Sequence, residues 1–179
     1  GSRMVRVTVM SSDEQDAQTP VLAFLGAQAE RRIDTHAASV FLCGDRALKL
    51  KRAVRFDYLD FSTIEKRRKA LEDELRFNRR TAPMLYRAVL PVVDAGEGQL
   101  VLGGEGKPVD WVLEMARFPD GALLADMAVA QPLDPALVSR LADNIVAFHA
   151  ASEVGPCSGG AERFRRTVEG NVTSLRADR

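Results

Sequence analysis

Apolar and polar positions alternate at short range through most of the chain and then shift to helical spacing. Ile33 to Ala37 and Ser39 to Cys43 read as strands, and Gly44-Asp45 offers a tight turn into the alternating run Arg46-Ala47-Leu48-Lys49-Leu50-Lys51. Val89 to Ala95, Gln99 to Gly103 and Val109 to Phe118 are further strands, with the turn-rich Gly103-Gly104-Glu105-Gly106-Lys107-Pro108 predicting a hairpin between the last two. Ahead of the strands, Pro20 suits the first turn of a helix carrying Val21, Leu22, Leu25 and Ala29 and ending in Glu30-Arg31-Arg32. Between the strand groups, Ser62-Thr63-Ile64-Glu65 has the form of a capping box, opening a helix that runs to about Thr81, just before Pro83.

Helical spacing takes over after Phe118-Pro119-Asp120-Gly121. A short helix over Ala122 to Ala130 precedes a second with Asp134 as N-cap, Pro135 at its first position and Leu137, Leu141, Ile145 and Phe148 on one face. A third is predicted from Ala161 to about Leu175, carrying Phe164, Val168 and Val172. The pattern predicts an α+β fold: an antiparallel sheet of about five strands with one long helix, then a purely helical segment. Gly1-Ser2-Arg3-Met4 reads as an expression remnant and Ser11 to Thr19 as a flexible lead-in, so the expected divisions are 1–19, a sheet lobe over 20–118 and a helical part over 119–179.

Composition narrows the function classes. In 179 residues, 46% hydrophobic, Lys plus Arg and Asp plus Glu number 25 each, so no net charge favours nucleic acid or a membrane surface. Any binding must come from a local site. No apolar run is long enough to span a bilayer, and no secretory pattern opens the chain; a cytoplasmic protein is expected. Cys43 and Cys157 form no CxxC and have no histidine at metal-ligand spacing, which reads as two inert thiols.

The candidate chemistry begins with parity. Ala47, Lys49 and Lys51 share one face of their strand, and Leu48 and Leu50 share the other. On this pattern alone the lysines also suit an ordinary solvated edge. The long helix adds two carboxylates, Glu72 and Glu74, on opposite sides of its inward stripe of Ile64, Leu71, Leu75 and Asn78, and periodicity does not choose between them. Glu72 has Arg68, Arg76 and Lys69 at helical spacing. Glu74 has Ala70, Leu71, Phe77 and Asn78 at those places, so it needs a cation from another element, and a strand lysine is the obvious one.

The stretches 34–51, 59–68 and 74–80, which hold the strand lysine and the orphan glutamate, resemble the N-terminal part of bifunctional aminoglycoside phosphotransferase and ATP-binding proteins. In that family a kinase-like domain precedes a P-loop kinase-like domain. The resemblance implies a protein-kinase-like N-lobe and the first helices of a C-lobe. Lys49 would hold the α and β phosphates of ATP, Glu74 would orient it, and Ala47 would roof the adenine. His36-Ala37-Ala38-Ser39 takes the place of the glycine-rich loop, making His36 and Ser39 candidate nucleotide contacts. Val112-Leu113-Glu114-Met115-Ala116 would be the hinge, with Glu114, Met115 and Ala116 against the adenine edge.

The intact parent would transfer the γ-phosphoryl of ATP, with Mg2+, to a small hydroxyl-bearing acceptor that the sequence does not name. A non-catalytic binding or regulatory module is the alternative. The family's His-Gly-Asp segment and metal-binding Asp belong after the helix of 134–152. After Ser152 the chain offers only Glu153, Glu162, Glu169, Asp178 and Asn171, and no further histidine. No catalytic residue and no Mg2+ ligand are therefore expected in this chain, which predicts an inactive fragment. Its Leu137, Leu141, Ile145 and Phe148 stripe, uncovered, would favour self-association.

Other features read as structural. His149 suits the edge of an apolar helix face. Lys66-Arg67-Arg68-Lys69, with Glu65, Glu72 and Asp73 close by, reads as a solvated helix surface rather than a nucleic-acid contact.

Overall fold

A computed structural model describes residues 12–56, 58–153, 155 and 160–177. Along the chain lie α1 (Ser12–Gly26), β1 (Arg31–Asp34), β2 (Ala38–Cys43), β3 (Arg46–Lys51), β4 (Arg55–Phe56), β5 (Leu59–Asp60), α2 (Ile64–Asn78), β6 (Tyr86–Asp94), β7 (Leu100–Leu102), β8 (Lys107–Ala116), α3 (Leu124–Ala130), α4 (Pro135–Ala150) and α5 (Gly160–Ala177). The class is α+β. The main sheet has six strands in the order β1-β2-β3-β8-β6-β7, with every pairing antiparallel, and β4 and β5 form a separate ribbon.

Each stretch read as a strand overlaps one, so the sheet has six members rather than about five, although β1 is displaced toward the N-terminus and leaves 35–37 of the expected 33–37 outside it. Gly44, at φ +58°, makes the turn between β2 and β3 that the sequence signals. The link between β7 and β8 is not a hairpin: both strands pair with β6, and the glycine-rich segment carries the chain past it. The β4–β5 ribbon escapes sequence reading because each strand is two residues long; Val54, Phe56 and Phe61 cluster beneath it.

Strand parity sets the core. Leu48 and Leu50 point to the face covered by α1, where Val21, Leu25, Phe41, Val92 and Val112 complete a fully buried cluster. The opposite face, carrying Ala47, Lys49 and Lys51, receives α2 through buried Leu71. Three helix boundaries differ from expectation. The first helix begins at Ser12, with Pro20 inside it rather than in its first turn, so part of the expected flexible lead-in is helical. It ends at Gly26, and Arg31 and Arg32 fall in β1. The cap of α2 is Thr63, whose hydroxyl accepts from the Lys66 N–H, while the Ser62 hydroxyl donates to Asp60.

The chain divides into two compact units, one ending at Pro132 and the other starting at Leu133. Residues after β8 remain with the sheet because Arg117 donates to Glu30 at 2.8 Å and Arg31 to Asp120 at 3.2 Å. In the second unit, the Asp134 carboxylate accepts from the Ala136 N–H at the start of α4, with Pro135 in its first turn, as its sequence predicts. Leu141 and Ile145 on α4, and Phe164, Val168 and Val172 on α5, are exposed, while Leu137 and Phe148 are half-buried. His149 is exposed beside Phe148. Among the described residues no helix is long and apolar enough to cross a membrane.

Candidate functional site

Residues two apart on a strand point the same way, so Lys49 and Lys51 both face α2. Lys49 Nζ donates to Glu74 Oε1 at 2.6 Å, and Lys51 Nζ donates to Oε2 at 2.7 Å. Glu74 therefore takes the cross-element partner that its own helix does not supply. Glu72 instead accepts from Arg68 at 2.7 Å, and the neighbouring cations Lys69 and Arg76 go to Asp73. Burial pushes the Glu74 carboxyl up, yet the hydrogen bonds from Lys49 and Lys51 outweigh it and hold the group below its ordinary value. Two ammonium groups share one carboxylate, which leaves the cluster an excess positive charge.

A cavity of about 440 Å³ opens on this face of the sheet, with Val40, Leu42, Ala47, Lys49, Met115 and Ala116 in its wall. Segment 117–121 also lines it, and Arg31, Ile33, Leu85, Leu123 and Asp126 complete the lining. Its size and mainly apolar wall, with a few charged groups, suit a small organic ligand. Lys49 belongs to this wall, whereas Lys51 and Glu74 do not line the cavity.

The other residues expected at a nucleotide site are placed elsewhere. Thr35 closes a tight turn with Ala38 through its N–H and its hydroxyl, and His36 stands exposed with its ring edge toward Phe56 at 5.9 Å. Ser39 pairs with Leu50 in register, so it lies on the leucine face. It is fully buried, and its hydroxyl donates to Asp34 Oδ1 at 2.6 Å, which with Arg32 holds the Asp34 carboxyl below its usual range. Neither His36 nor Ser39 is in the cavity wall.

The Glu114 side chain also points to the leucine face, opposite Leu48 in register, and accepts from Arg87 at 3.5 Å. Met115 and Ala116 do reach the cavity, but the expected hinge falls inside the paired strand β8. The Ala116 N–H donates to Leu85 O at 2.8 Å, and the Arg117 N–H to Asp45 O at 2.9 Å. The structure thus brings Ala47, Lys49, Met115 and Ala116 to one cavity with Glu74 hydrogen-bonded to Lys49, and sets His36, Ser39 and the Glu114 carboxylate apart.

Sequence reading overlooks a second polar cluster. Arg67, expected on a solvated surface, is buried and donates through Nε to Asp110 Oδ1 at 2.9 Å. It also donates to Phe61 O at 3.0 Å. Gln18 of α1 donates to Asp110 Oδ2 at 2.7 Å and to Lys51 O at 2.9 Å, and accepts from the Ala53 N–H. The available signal was a carboxylate between the apolar Val109 and Trp111 in a strand, since a buried charge requires a partner. Arg68 lies over the Trp111 ring at 4.4 Å. Cys43 is half-buried, and burial pushes its thiol up; Cys157 lies outside the described residues. Among the described residues, no group of three or more His, Cys, Asp or Glu is placed to hold a metal ion.

Comparison with known proteins finds relatives in mycobacteria. The chain is similar to the uncharacterized proteins Rv2004c and MT2060 of Mycobacterium tuberculosis and Mb2027c of Mycobacterium bovis, at 34% identity over 147 residues in each case. That match takes in 80% of this chain, and the chain spans 28% of the length of these curated relatives. No family model matches, and no solved structure matches significantly.

Proposed function

We propose that the sheet lobe binds ATP, as the nucleotide-holding part of a small-molecule phosphotransferase of the aminoglycoside phosphotransferase type. The observation that carries this reading is Lys49, which stands in the wall of the cavity while its ammonium is steered by Glu74 from a different element. In this reading the adenine packs on Ala47, Leu42 and Met115, and the phosphates reach the Lys49 ammonium. The excess charge of the Lys49, Lys51 and Glu74 cluster favours an anion there. With the Ala116 and Arg117 amides already engaged, the adenine is held by apolar contact and shape. The whole protein would pass the γ-phosphoryl group of ATP, with magnesium, to a hydroxyl-bearing acceptor; no residue described here is assigned to that metal.

The second reading is a non-catalytic binding or regulatory module. It is favoured by the β1–β2 turn, which lacks glycine and whose Ser39 hydroxyl is committed to Asp34.

Thermal unfolding with ATP and magnesium tests the proposal. Ligand at about a hundredfold its dissociation constant stabilises the folded state by about 2.7 kcal/mol, so the wild-type transition should rise by several degrees. Lys49→Ala should remove the rise while leaving Glu74 paired with Lys51. An equal rise in both proteins would place any nucleotide elsewhere.

A further inference from the structure

We infer that Arg117 is a positioning residue: it moors segment 117–121 to the Glu30 carboxylate and the β2–β3 turn, so that this part of the cavity wall is in place before a ligand arrives. Three hydrogen bonds converge on that one residue. Its backbone N–H donates to Asp45 O at 2.9 Å, and its Nη1 donates to Glu30 Oε2 at 2.8 Å and to Gly44 O at 3.3 Å. Glu30 is fixed in turn, because its Oε1 accepts from the Gly44 N–H at 3.0 Å and its own N–H donates to Leu42 O at 2.9 Å. The hydrogen bonds from Arg117 and from the Gly44 N–H hold the Glu30 carboxyl below its ordinary value, so the pair stays charged at neutral pH.

The rest of the segment has little else to hold it. Among the described residues, only Arg117 and Asp120 of 117–121 hydrogen-bond to the sheet or the loops beside it, and Asp120 does so through a pair with Arg31 in which both side chains are exposed. Such a pair contributes little by itself. The Arg117 side chain is half-buried and acts together with its own backbone N–H. Farther along, the chain turns tightly: Gly121 takes φ +78°, and the Ala122 N–H donates to Pro119 O at 3.1 Å. Phe118 and Pro119, which line the cavity, lie between the mooring and this turn. A wall ordered in advance spares a ligand the cost of ordering it on binding. Glu30 itself does not line the cavity, so it can act on a ligand only through the wall that it holds.

Hydrogen exchange followed by NMR tests the mooring without ligand. In Arg117→Met and in Glu30→Gln, protection of the amide at position 117 should fall about tenfold, while the Leu48 and Val112 amides in the core of the sheet keep theirs. Unchanged protection at position 117 in either variant would overturn the inference.

Calorimetric titration with magnesium ATP, a choice of ligand that rests on the nucleotide reading above, tests the consequence. Arg117→Met and Glu30→Gln should each weaken binding about tenfold, and the double variant should bind no more weakly than either single one, because both remove the same tie. Weakened binding in Arg117→Met with wild-type affinity in Glu30→Gln would make Arg117 a direct ligand contact and refute the positioning role. Additive losses, or wild-type affinity in both variants, would refute it as well and leave the nucleotide site standing. Absence of binding by the wild-type chain would instead overturn the nucleotide reading, and hydrogen exchange would then decide the mooring by itself.

Discussion

Glu74 shows how a single side chain can report on the architecture around it. Its helix offers no cation at the third or fourth neighbour, and the folded chain supplies two from β3. Because its carboxyl is held below the ordinary value, its contribution to stability is complete above the unfolded value of about 4.3 and fades as pH falls through the lower folded value. Below about pH 4 the wild-type protein should therefore lose stability more steeply than Glu74→Gln, whose amide does not titrate. Urea midpoints measured from pH 7 downward check this, and parallel curves would show that Glu74 titrates as it does in the unfolded chain.

At the scale of elements, Asp110 joins three pieces of the fold. It sits on β8, receives Gln18 from α1 and Arg67 from α2, and also accepts from the Trp111 N–H at 2.9 Å. Its side chain is 1% exposed and that of Arg67 6%, so the pair is sealed from water. Removing one partner of such a pair leaves an uncompensated charge, and Asp110→Ala should cost about 3–5 kcal/mol of folding stability. Chemical unfolding measures this directly. A cost below about 1 kcal/mol, ordinary for an exposed pair, would mean that water reaches Arg67. Among the described residues this network is the main polar tie between α1 and α2, which otherwise lie on opposite faces of the sheet.

Across the whole molecule, apolar exposure is unevenly spread. In the unit from Leu133 onward, Leu141 and Ile145 on α4 and Phe164 on α5 stand 42%, 47% and 72% exposed, and none of the residues described there is buried. Apolar helix faces of this kind favour association with other apolar surfaces. We expect the chain to form dimers or larger species whose population rises with concentration in light scattering. Ile145→Asp or Phe148→Asp should shift it toward monomer without changing the unfolding of the sheet unit. A monomer at all concentrations, in wild type and variants alike, would rule this out.

Local signals alone determined the six main strands, α2, the cap of α4 and the choice of Glu74 over Glu72, since strand parity, capping chemistry and helical neighbours are properties of a few adjacent residues. The Lys51 contact was also legible by parity, because Lys51 shares the face of Lys49. Tertiary structure alone decided the rest. Arg67 looks like any cation on a charged helix until Asp110, 43 positions away, meets it in the core. Gln18 lies in a polar stretch, and its partners Asp110 and the 51–53 backbone come from segments far along the chain. Ser39 and Glu114 turn away from the cavity because the register places them opposite Leu50 and Leu48. Parity within a strand is written in the sequence, but which face meets a helix and which meets a cavity depends on how distant segments pack.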